Sequence, residues 1–378
     1  MPRLPDPRDP PPFFFESDVS FDQTGGAGKL STGFVELIPR DQPSGIVRIW
    51  SPDLRPQFTQ QWNFSMEYQL TSSMVVTAAY VGNRATHLVD PRDFNQPLPG
   101  TGDPSTWAPL QTRRPLYFAQ PLITQVGGTE SQATSDYHAM QLSARRRYTA
   151  GFEFLLSYTL SKTITDNLGY YGSGGVAGMS AYWLNSYNRL GDRGLSFFDA
   201  THNSVWSGTY DLPWGKGQRW GGNWNGVTNA ILGGWNINNI VQLRSGFPIT
   251  IRANDVSLQN SRAGGRPDRI GSGNVSDPTL TQWLDITAYT MPASGSFGNC
   301  GVSTNRAPGF VNWDFGVGKQ FNVTESKYFL FRAEFFNFTN TPSFSPPGNN
   351  ISSPNTFGLI TSTVSAPRNM EFAIKFQF

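Results

Sequence analysis

The chain has 378 residues, of which 15% are charged and 14% are aromatic, and its formal net charge at pH 7 is +2. So few charges, with no basic stripe, give no basis for a nucleic-acid partner, and the single cysteine, Cys300, cannot form an internal disulfide. No long apolar run is present, which excludes a transmembrane helix, and the many aromatics and glycines favour strands joined by long uncharged loops.

Residues 1–55 are rich in proline and glycine and show no sustained hydrophobic period. They start with MPRLPDPRDPPPFFFESD, which lacks the apolar core of a secretory signal peptide. We predict that this part is irregular, or a truncated barrel strand with its loop. The stretch GGAGKLS at 25–31 approaches a phosphate-binding loop, but Gln23 and Leu30 occupy positions that need Gly and Ser or Thr. We interpret it as a loop.

From Phe58 onward, apolar and polar residues alternate. A period of two in FTQQWNFSMEYQL predicts a strand longer than the usual length of about five or six residues. Its apolar side carries Phe58, Trp62, Phe64, Met66, Tyr68 and Leu70. Further strands are predicted at 74–82, 138–148, 151–162, 205–214, 234–246, 309–321, 327–338 and 369–378.

The connections between these strands alternate between short and long. The short ones are 71–73, 149–151 and 322–326, and only the Gly/Trp/Asn-rich turn 213–233 breaks the pattern. The long ones contain many turn-forming residues and span 89–133, 167–199, 252–308 and 341–366. We expect 89–133 and 252–308 to be surface-exposed. An antiparallel meander with tight turns at one end and long loops at the other is typical of an outer-membrane β-barrel.

The two faces of the predicted sheet favour the same fold class. The polar face is mainly Asn, Gln, Ser, Thr and Gly, as in a water-filled or plugged lumen, whereas the polar face of a soluble β-sandwich or propeller is usually rich in Lys and Glu. We expect Val311, Trp313, Phe315 and Val317 to face lipid, and Asn312, Asp314 and Gly318 to face the lumen. Aromatics near strand ends predict interface girdles, namely Tyr68, Tyr148, Trp214, Trp235 and Phe321.

Several long stretches, in order, resemble the barrel of TonB-dependent receptors of the Oar-like branch. The resemblance runs from about Arg55 to Phe378 and includes TQQWNFSMEYQLTSSMVVTAAYVGNRATHL, GGWNINNIVQLRSGFPIT, LFRAEFFNFTNTPSF and APRNMEFAIKFQF. It implies an outer-membrane barrel of about 22 strands around an N-terminal plug. No segment here resembles the plug or the short box that binds TonB. Residues 56–378 are therefore expected to be the C-terminal portion of a receptor barrel, with roughly nine or ten of its strands, and TonB would act only through the missing N-terminal part.

The last predicted strand, NMEFAIKFQF, ends on an aromatic residue. The resemblance implies that Phe372, Ile374, Phe376 and Phe378 form an assembly signal, read by the barrel-assembly machinery as alternating apolar residues with a terminal aromatic. The alternative is an edge strand of a soluble sheet. Such a strand would expose an apolar edge that soluble proteins avoid.

No set of side chains predicts catalysis, a cofactor or a metal site. Asp199, His202 and Ser204 are the residue types of a catalytic triad, but on a strand 202 and 204 share a face that excludes 199. The three histidines, at 87, 138 and 202, lack the spacing of metal ligands.

Two further motifs can be explained without a binding site. GSGGVAG at 172–178 has the glycines of a dinucleotide fingerprint without its strand–turn–helix context, and is predicted to be an outside loop. The run Arg145, Arg146 and Arg147 precedes a tight turn, where snorkelling to the membrane interface explains it better than nucleic-acid binding.

Three functions follow as hypotheses. The first is the barrel portion of an energised outer-membrane receptor that takes up a scarce or bulky ligand, with lipid and an unidentified ligand as partners. The second is a structural or adhesive surface barrel whose loops bind partners. The third is a soluble β-rich glycosidase, which would need a convergent carboxylate pair that the scattered acids do not suggest.

Overall fold

The computed structural model describes residues 14–15, 45–169, 180–324 and 326–378, so the glycine-rich motifs at 25–31 and 172–178 lie outside the described residues. The described strands are β1 (Phe14–Phe15), β2 (Gly45–Trp50), β3 (Phe58–Thr71), β4 (Met74–Asp93), β5 (Ile123–Thr149), β6 (Phe152–Thr165), β7 (Gly194–Leu195), β8 (His202–Asp211), β9 (Trp235–Arg244), β10 (Pro248–Ile249), β11 (Asp268–Arg269), β12 (Tyr289–Thr290), β13 (Asn305–Arg306), β14 (Phe310–Asn322), β15 (Tyr328–Phe336) and β16 (Asn369–Gln377). One short α-helix, α1, spans Gly226–Leu232. Within the described ranges, no helix has the length and apolar character needed to cross a membrane.

Nine long strands form an antiparallel meander in the order β3-β4-β5-β6-β8-β9-β14-β15-β16. Each of them coincides with one of the strands predicted from the period of two, so the predicted all-β antiparallel architecture is confirmed. Tight turns join β3 to β4, β5 to β6 and β14 to β15. The turn between β5 and β6 places Ala150 and Gly151 at φ 53° and 75°, the left-handed conformation that two-residue hairpins require. We call this end of the sheet the turn end.

Two strands are longer than predicted. β4 continues to Asp93 and β5 starts at Ile123, so the predicted loop 89–133 is partly strand. The sequence does not predict this extension, because GGTESQATSD, at 127–136, shows no alternation of apolar and polar residues. In addition, β2 lies parallel to the same part of β5, an arrangement that the sequence does not indicate.

The register of the meander assigns each residue to one of two faces, because residues directly opposite each other in a ladder point the same way. One row across the sheet is apolar throughout: Val76, Ala144, Leu156, Trp206, Val241 and Trp313. The next row carries five polar residues and one valine: Thr77, Ser143, Ser157, Val205, Gln242 and Asn312. The sheet therefore has one apolar and one polar face, and Trp313 and Asn312 lie on the faces predicted for them.

The four long connections pack against one another at the end of the sheet opposite the turns. We call them the loop assembly, which comprises the described parts of 94–122, 166–201, 245–309 and 337–368. Its apolar core contains Ile249, Ile251, Leu284, Ala288, Tyr289, Cys300, Ala307 and Phe357. Hydrogen bonds join successive connections, as where Ser261 Oγ donates to the Leu184 carbonyl at 2.6 Å and Asn349 Nδ2 donates to the Thr250 carbonyl at 2.8 Å.

The expectation that 89–133 and 252–308 are surface-exposed is therefore wrong in large part. In the first stretch Asp93, Asn95 and Ala133 are completely inaccessible to solvent, and in the second Leu284 and Cys300 are buried. These stretches lack a regular hydrophobic period because they bury small clusters and polar groups of other loops, rather than a strand or helix face.

The meander has two free edges. Within the described residues, β3 pairs only with β4 and β16 pairs only with β15. Every residue of both edge strands is exposed, including Phe64 on β3 and Ile374 on β16. The sheet is thus an open section of an antiparallel barrel wall, not a closed barrel.

The apolar face can be tested at β14. Phe315 contacts the rings of Trp313, Phe335 and Phe338, at centroid distances between 4.9 and 6.3 Å. We expect Phe315→Arg to destabilise the protein in lipid by roughly 2–4 kcal/mol, because a charge on the lipid face must be desolvated. Refolding into vesicles, followed by urea titration, measures this difference.

The matched control is Asn312→Arg, which places the same charge in the same strand on the polar face. We expect it to change stability much less. A harmless Phe315→Arg combined with a harmful Asn312→Arg would show that the two faces have been assigned the wrong way round.

Candidate functional site

A set of buried ion pairs lies where the loop assembly meets the strands. Four aspartates that are almost inaccessible to solvent each pair with an arginine at least 23 residues away in the sequence. The pairs are Asp93 with Arg262, Asp166 with Arg189, Asp192 with Arg266, and Asp199 with Arg306. A buried carboxylate needs such a partner because desolvation of an isolated charge is expensive. These pairs therefore fix how the loops dock on the sheet.

Arg306 illustrates this docking. Its Nη1 donates to the carbonyls of Asp199 and Gly246 at 3.1 and 2.9 Å, and its Nη2 donates to Asp199 Oδ2 and Thr201 Oγ1, both at 2.7 Å. The planar guanidinium thus joins the connection before β8 to the one after β9. Sequence analysis missed this pair, whose members lie 107 residues apart. No local pattern could have linked them.

The structure does not bring the residues of the triad motif into a catalytic arrangement. Asp199 Oδ1 accepts from the Thr163 amide at 2.7 Å, and its other oxygen is bound by Arg306. His202 Nδ1 lies 2.8 Å from the Tyr158 hydroxyl. His138 makes the equivalent contact with Tyr80 at 2.7 Å. Among the described residues, no group of three or more His, Cys, Asp or Glu side chains could hold a metal ion.

A second carboxylate cluster lies on the extended parts of β4 and β5. Asp90, 1% exposed, is directly opposite Glu130, 2% exposed. Asp90 Oδ1 accepts from the amides of Gln132 and Ala133, both at 3.0 Å, whereas its Oδ2 and Glu130 Oε1 are buried without a hydrogen-bond partner. Glu130 Oε2 lies 3.5 Å from Arg92 Nη1.

Burial raises the pKa of Asp90 to about 7, and the negative charge of Glu130 acts in the same direction. Burial also raises the pKa of Glu130, although the nearby Arg92 opposes this. Asp90 lies beyond Thr86, the last residue of β4 that pairs with β3, and therefore belongs to the loop side of the strand rather than to its membrane-crossing part. The pair is thus a place where the loop assembly can gain or lose a proton near neutral pH.

One cavity among the connections of the loop assembly is small. It is lined by loop residues that include Tyr182, Thr250, Arg252 and Arg266, and its volume of about 10 Å³ has room for about one water molecule. The polar groups around it therefore hold loops together, and this cavity has no room for a larger ligand.

The carboxyl of Asp90 predicts a pH dependence. Its pKa is higher in the folded protein than in the unfolded chain, so the folded state binds the proton more tightly. The stability that this proton provides is complete below pH 3.8 and is lost as the pH rises through about 7. At about 1.4 kcal/mol per pKa unit, the loss is on the order of 4 kcal/mol for the region around β4 and β5.

We expect Asp90→Asn to remove this dependence, because the amide oxygen can still accept the two backbone hydrogen bonds. Hydrogen exchange at the Ala133 amide between about pH 4 and 8, corrected for intrinsic rates, measures the local opening free energy. Asp103→Asn is the control, since Asp103 is exposed and its hydrogen bonds to Ser105 lower its pKa. Equal slopes for the wild type and Asp90→Asn would contradict the assignment.

Three solved structures give the fold a wider context, although the superpositions are loose. The outer membrane transporter YddB from Escherichia coli aligns with a TM-score of 0.45 and 8% identity, covering 86% of this chain and 33% of that one. The ferric-catecholate import receptor Fiu from E. coli K12 aligns with a TM-score of 0.40 and 11% identity, covering 86% and 28%. FpvA from P. aeruginosa, in complex with a pyoverdine and iron, gives 0.37 and 10%, again covering 86% and 28%.

This chain therefore spans about a third or less of the length of those proteins. A search of the curated proteins finds no match to its sequence. The family described as outer membrane beta barrel domain matches residues 5–371, which is nearly the whole sequence. Together with the antiparallel meander and its two unlike faces, this match shows that the chain belongs to the outer membrane β-barrel domain family and is a protein of the outer membrane.

Proposed function

We propose that this chain is the C-terminal barrel portion of a TonB-dependent receptor of the Oar-like branch, which takes up a scarce or bulky ligand. The observation that carries the proposal is the open meander, with one apolar face, one polar face and loops concentrated at one end. An open edge cannot persist in hydrocarbon, because each unpaired backbone group there costs several kcal/mol. β3 and β16 must therefore find further strands, and the resemblance supplies them as the rest of a barrel of about 22 strands.

The polar face fits the lumen of such a receptor. Its residues are mostly uncharged hydrogen-bonding groups, and β9 and β14 alone contribute Asn236, Asn238, Gln242 and Asn312. A wall of this kind suits contact with a plug or with water and leaves backbone and amide groups available to a passing ligand. A plug and its TonB-binding box would come from residues other than 56–378, and TonB would act through that part alone.

The loop assembly is the proposed ligand-capturing surface. Its buried ion pairs, together with hydrogen bonds such as those of Gln96 and Asn349, hold the four connections in a defined arrangement, so its outer surface is preorganised. We propose no catalytic residue, since Asp199 and His202 are engaged with Arg306 and Tyr158. The alternative is a structural or adhesive barrel that binds partners through the same loops without transport.

The size of the native product separates these two functions. An antibody raised against the loop assembly should detect, in outer membranes of the source bacterium, a product well above 41.8 kDa, the mass of this chain. Peptide mass spectrometry of that band should identify a plug upstream of residue 56. A native outer-membrane product of 41.8 kDa that contains no plug would overturn the receptor proposal and favour the adhesive one.

The proposed assembly signal at the C-terminus makes a separate prediction. Phe372, Ile374 and Phe376 lie on the apolar side of β16, and Phe378, which follows the strand, is 86% exposed with a ring contact to Phe376 at 6.0 Å. Packing alone predicts that Phe378→Ala changes stability little, whereas recognition predicts poor insertion in cells. We expect normal synthesis and normal refolding in detergent, but little protein in the outer membrane.

Phe315→Ala is the matched control. Phe315 packs against three rings, so its removal should lower stability, with about 3–5 kcal/mol as the upper limit for a fully buried ring, and should impair refolding. Both variants are made in the complete receptor, and membrane insertion and refolding are measured for each. If the two variants fail equally in both assays, Phe378 has no role in recognition.

A further inference from the structure

The connection between β8 and β9 differs from the other connections at the turn end. It spans 212–234, contains α1, and folds on itself through a bridge between Trp214 and Trp220. Asn225 caps α1 by accepting from the Thr228 amide at 2.8 Å, and Asn229 Oδ1 accepts from the Lys216 amide at 2.7 Å. We call this folded connection the turn lobe.

The turn lobe is fastened to the apolar side of the sheet. Trp235 on β9 and Lys319 on β14 are opposite each other in register, on the same face as Ile237 and Val317. Trp235 Nε1 and Lys319 Nζ both donate to the carbonyl of Ile231, at 2.9 and 3.0 Å. The C-terminal end of α1 therefore lies against the apolar face and not over the lumen.

Lys319 is an unusual residue for this position. It is 2% exposed, and its ammonium lies 5.0 Å from the ring centroid of Trp235 and 4.9 Å from that of Phe321. A charge on a lipid-facing surface needs compensation, and here the helix end and the two ring faces provide it. The lysine thus positions the lobe, because its charge is satisfied only while α1 stays docked.

The lobe exposes apolar side chains on its outer surface. Val227 is 71% exposed, Ile231 is 59%, Leu232 is 48% and Trp220 is 52%. Val227 and Ile231, four residues apart, lie on one side of α1. These residues continue the apolar face beyond the strand ends, at the depth where the strands meet the tight turns.

The charge of the lobe is complementary to phospholipid headgroups. Residues 212–234 contain Lys216 and Arg219 and no acidic residue. The Arg219 guanidinium lies 5.3 Å from the Trp220 ring centroid, so a cation and an indole are presented together. Tryptophan and basic residues are the side chains typically found at the membrane–water interface.

We propose that the turn lobe is a lipid-binding element, embedded in the phospholipid headgroup region of the periplasmic leaflet beside the barrel wall. Val227, Ile231 and Leu232 enter the boundary of the acyl chains, while Lys216 and Arg219 bind headgroup phosphates. The lobe acts as an interfacial amphipathic element whose affinity comes from buried apolar area and electrostatic attraction. The proposal rests on membership in the outer membrane barrel family and is independent of transport.

The test measures the depth of the lobe in the membrane. Single cysteines, in a Cys300→Ala background, are placed by Val227→Cys, Ile231→Cys, Leu156→Cys or Ser294→Cys and labelled with a fluorophore in isolated outer membranes. Phospholipids carrying a nitroxide near the headgroup, or near the end of the acyl chain, are then added as quenchers. Leu156 lies opposite Trp206 in the apolar row of the sheet and is 40% exposed, and Ser294 lies in the loop assembly, so they are the lipid and water references.

We expect labels at 227 and 231 to be quenched at least threefold more than the label at 294, and more by the shallow nitroxide than by the deep one. Quenching at 227 and 231 equal to that at 294, with strong quenching at 156, would overturn the proposal and point to water or a periplasmic protein as the neighbour of the lobe. Absence of quenching at 156 would overturn it as well, because the apolar face itself would then not face lipid.

A second variant tests the role of Lys319. Lys319→Met keeps the length of the side chain but removes its donor, so quenching at 231 should fall by at least half while quenching at 156 is unchanged. Lys375→Met, on the polar face of β16, is the matched control and should alter neither value. Unchanged quenching at 231 in Lys319→Met would overturn the role of Lys319 in positioning the lobe.

Discussion

The requirement that every backbone group in a membrane finds a hydrogen-bond partner governs this molecule. Seven of the nine strands of the meander have a hydrogen-bonded neighbour on both sides. The two edge strands, β3 and β16, do not. Since an unpaired edge cannot remain in hydrocarbon, the membrane-crossing state of this sheet needs further strands, and the unlike faces decide how those strands must be oriented. The need to pair both edges requires further strands. The alternation of apolar and polar residues decides which face of those strands is on the lipid side and which is on the lumen side.

In the loop assembly, the corresponding requirement is that a buried charge has a partner. The apolar core of the loop assembly is a cluster of mainly small and medium-sized residues. Buried aspartates that pair with arginines distant in sequence supply further specificity, since a misplaced loop would leave a carboxylate desolvated and unpaired. Asp90 and Glu130 are the exception, with one unpartnered oxygen each. Burial lets a proton take the place of the missing partner of Asp90, which explains why its pKa rises to about 7.

The alternation in the sequence was sufficient to predict all nine strands of the meander, and the face of β14, because the period of two is local and is imposed by the strand itself. It could not predict that β4 and β5 extend to Asp93 and Ile123. There both strand faces contact loops, so a polar sequence such as GGTESQATSD is as suitable as an alternating one. Nor could it predict the ion pairs, whose members are separated by as many as 169 residues. The exposed loops predicted from turn-forming residues proved to be packed, because polar residues can be buried when their partners are buried with them.

The long connection at the turn end, the turn lobe between β8 and β9, has a structural role that Lys319 makes clear. The strict alternation of β14 would place an apolar residue at this position, and an ammonium there is tolerable only with acceptors at hand. A tight turn between β8 and β9 would offer none. The longer connection brings the Ile231 carbonyl and the dipole of α1 to the lysine, and the rings of Trp235 and Phe321 enclose it. The buried charge of Lys319 and the docking of the turn lobe therefore depend on each other. Both lie near the tight turns, where we propose that the membrane–water interface is.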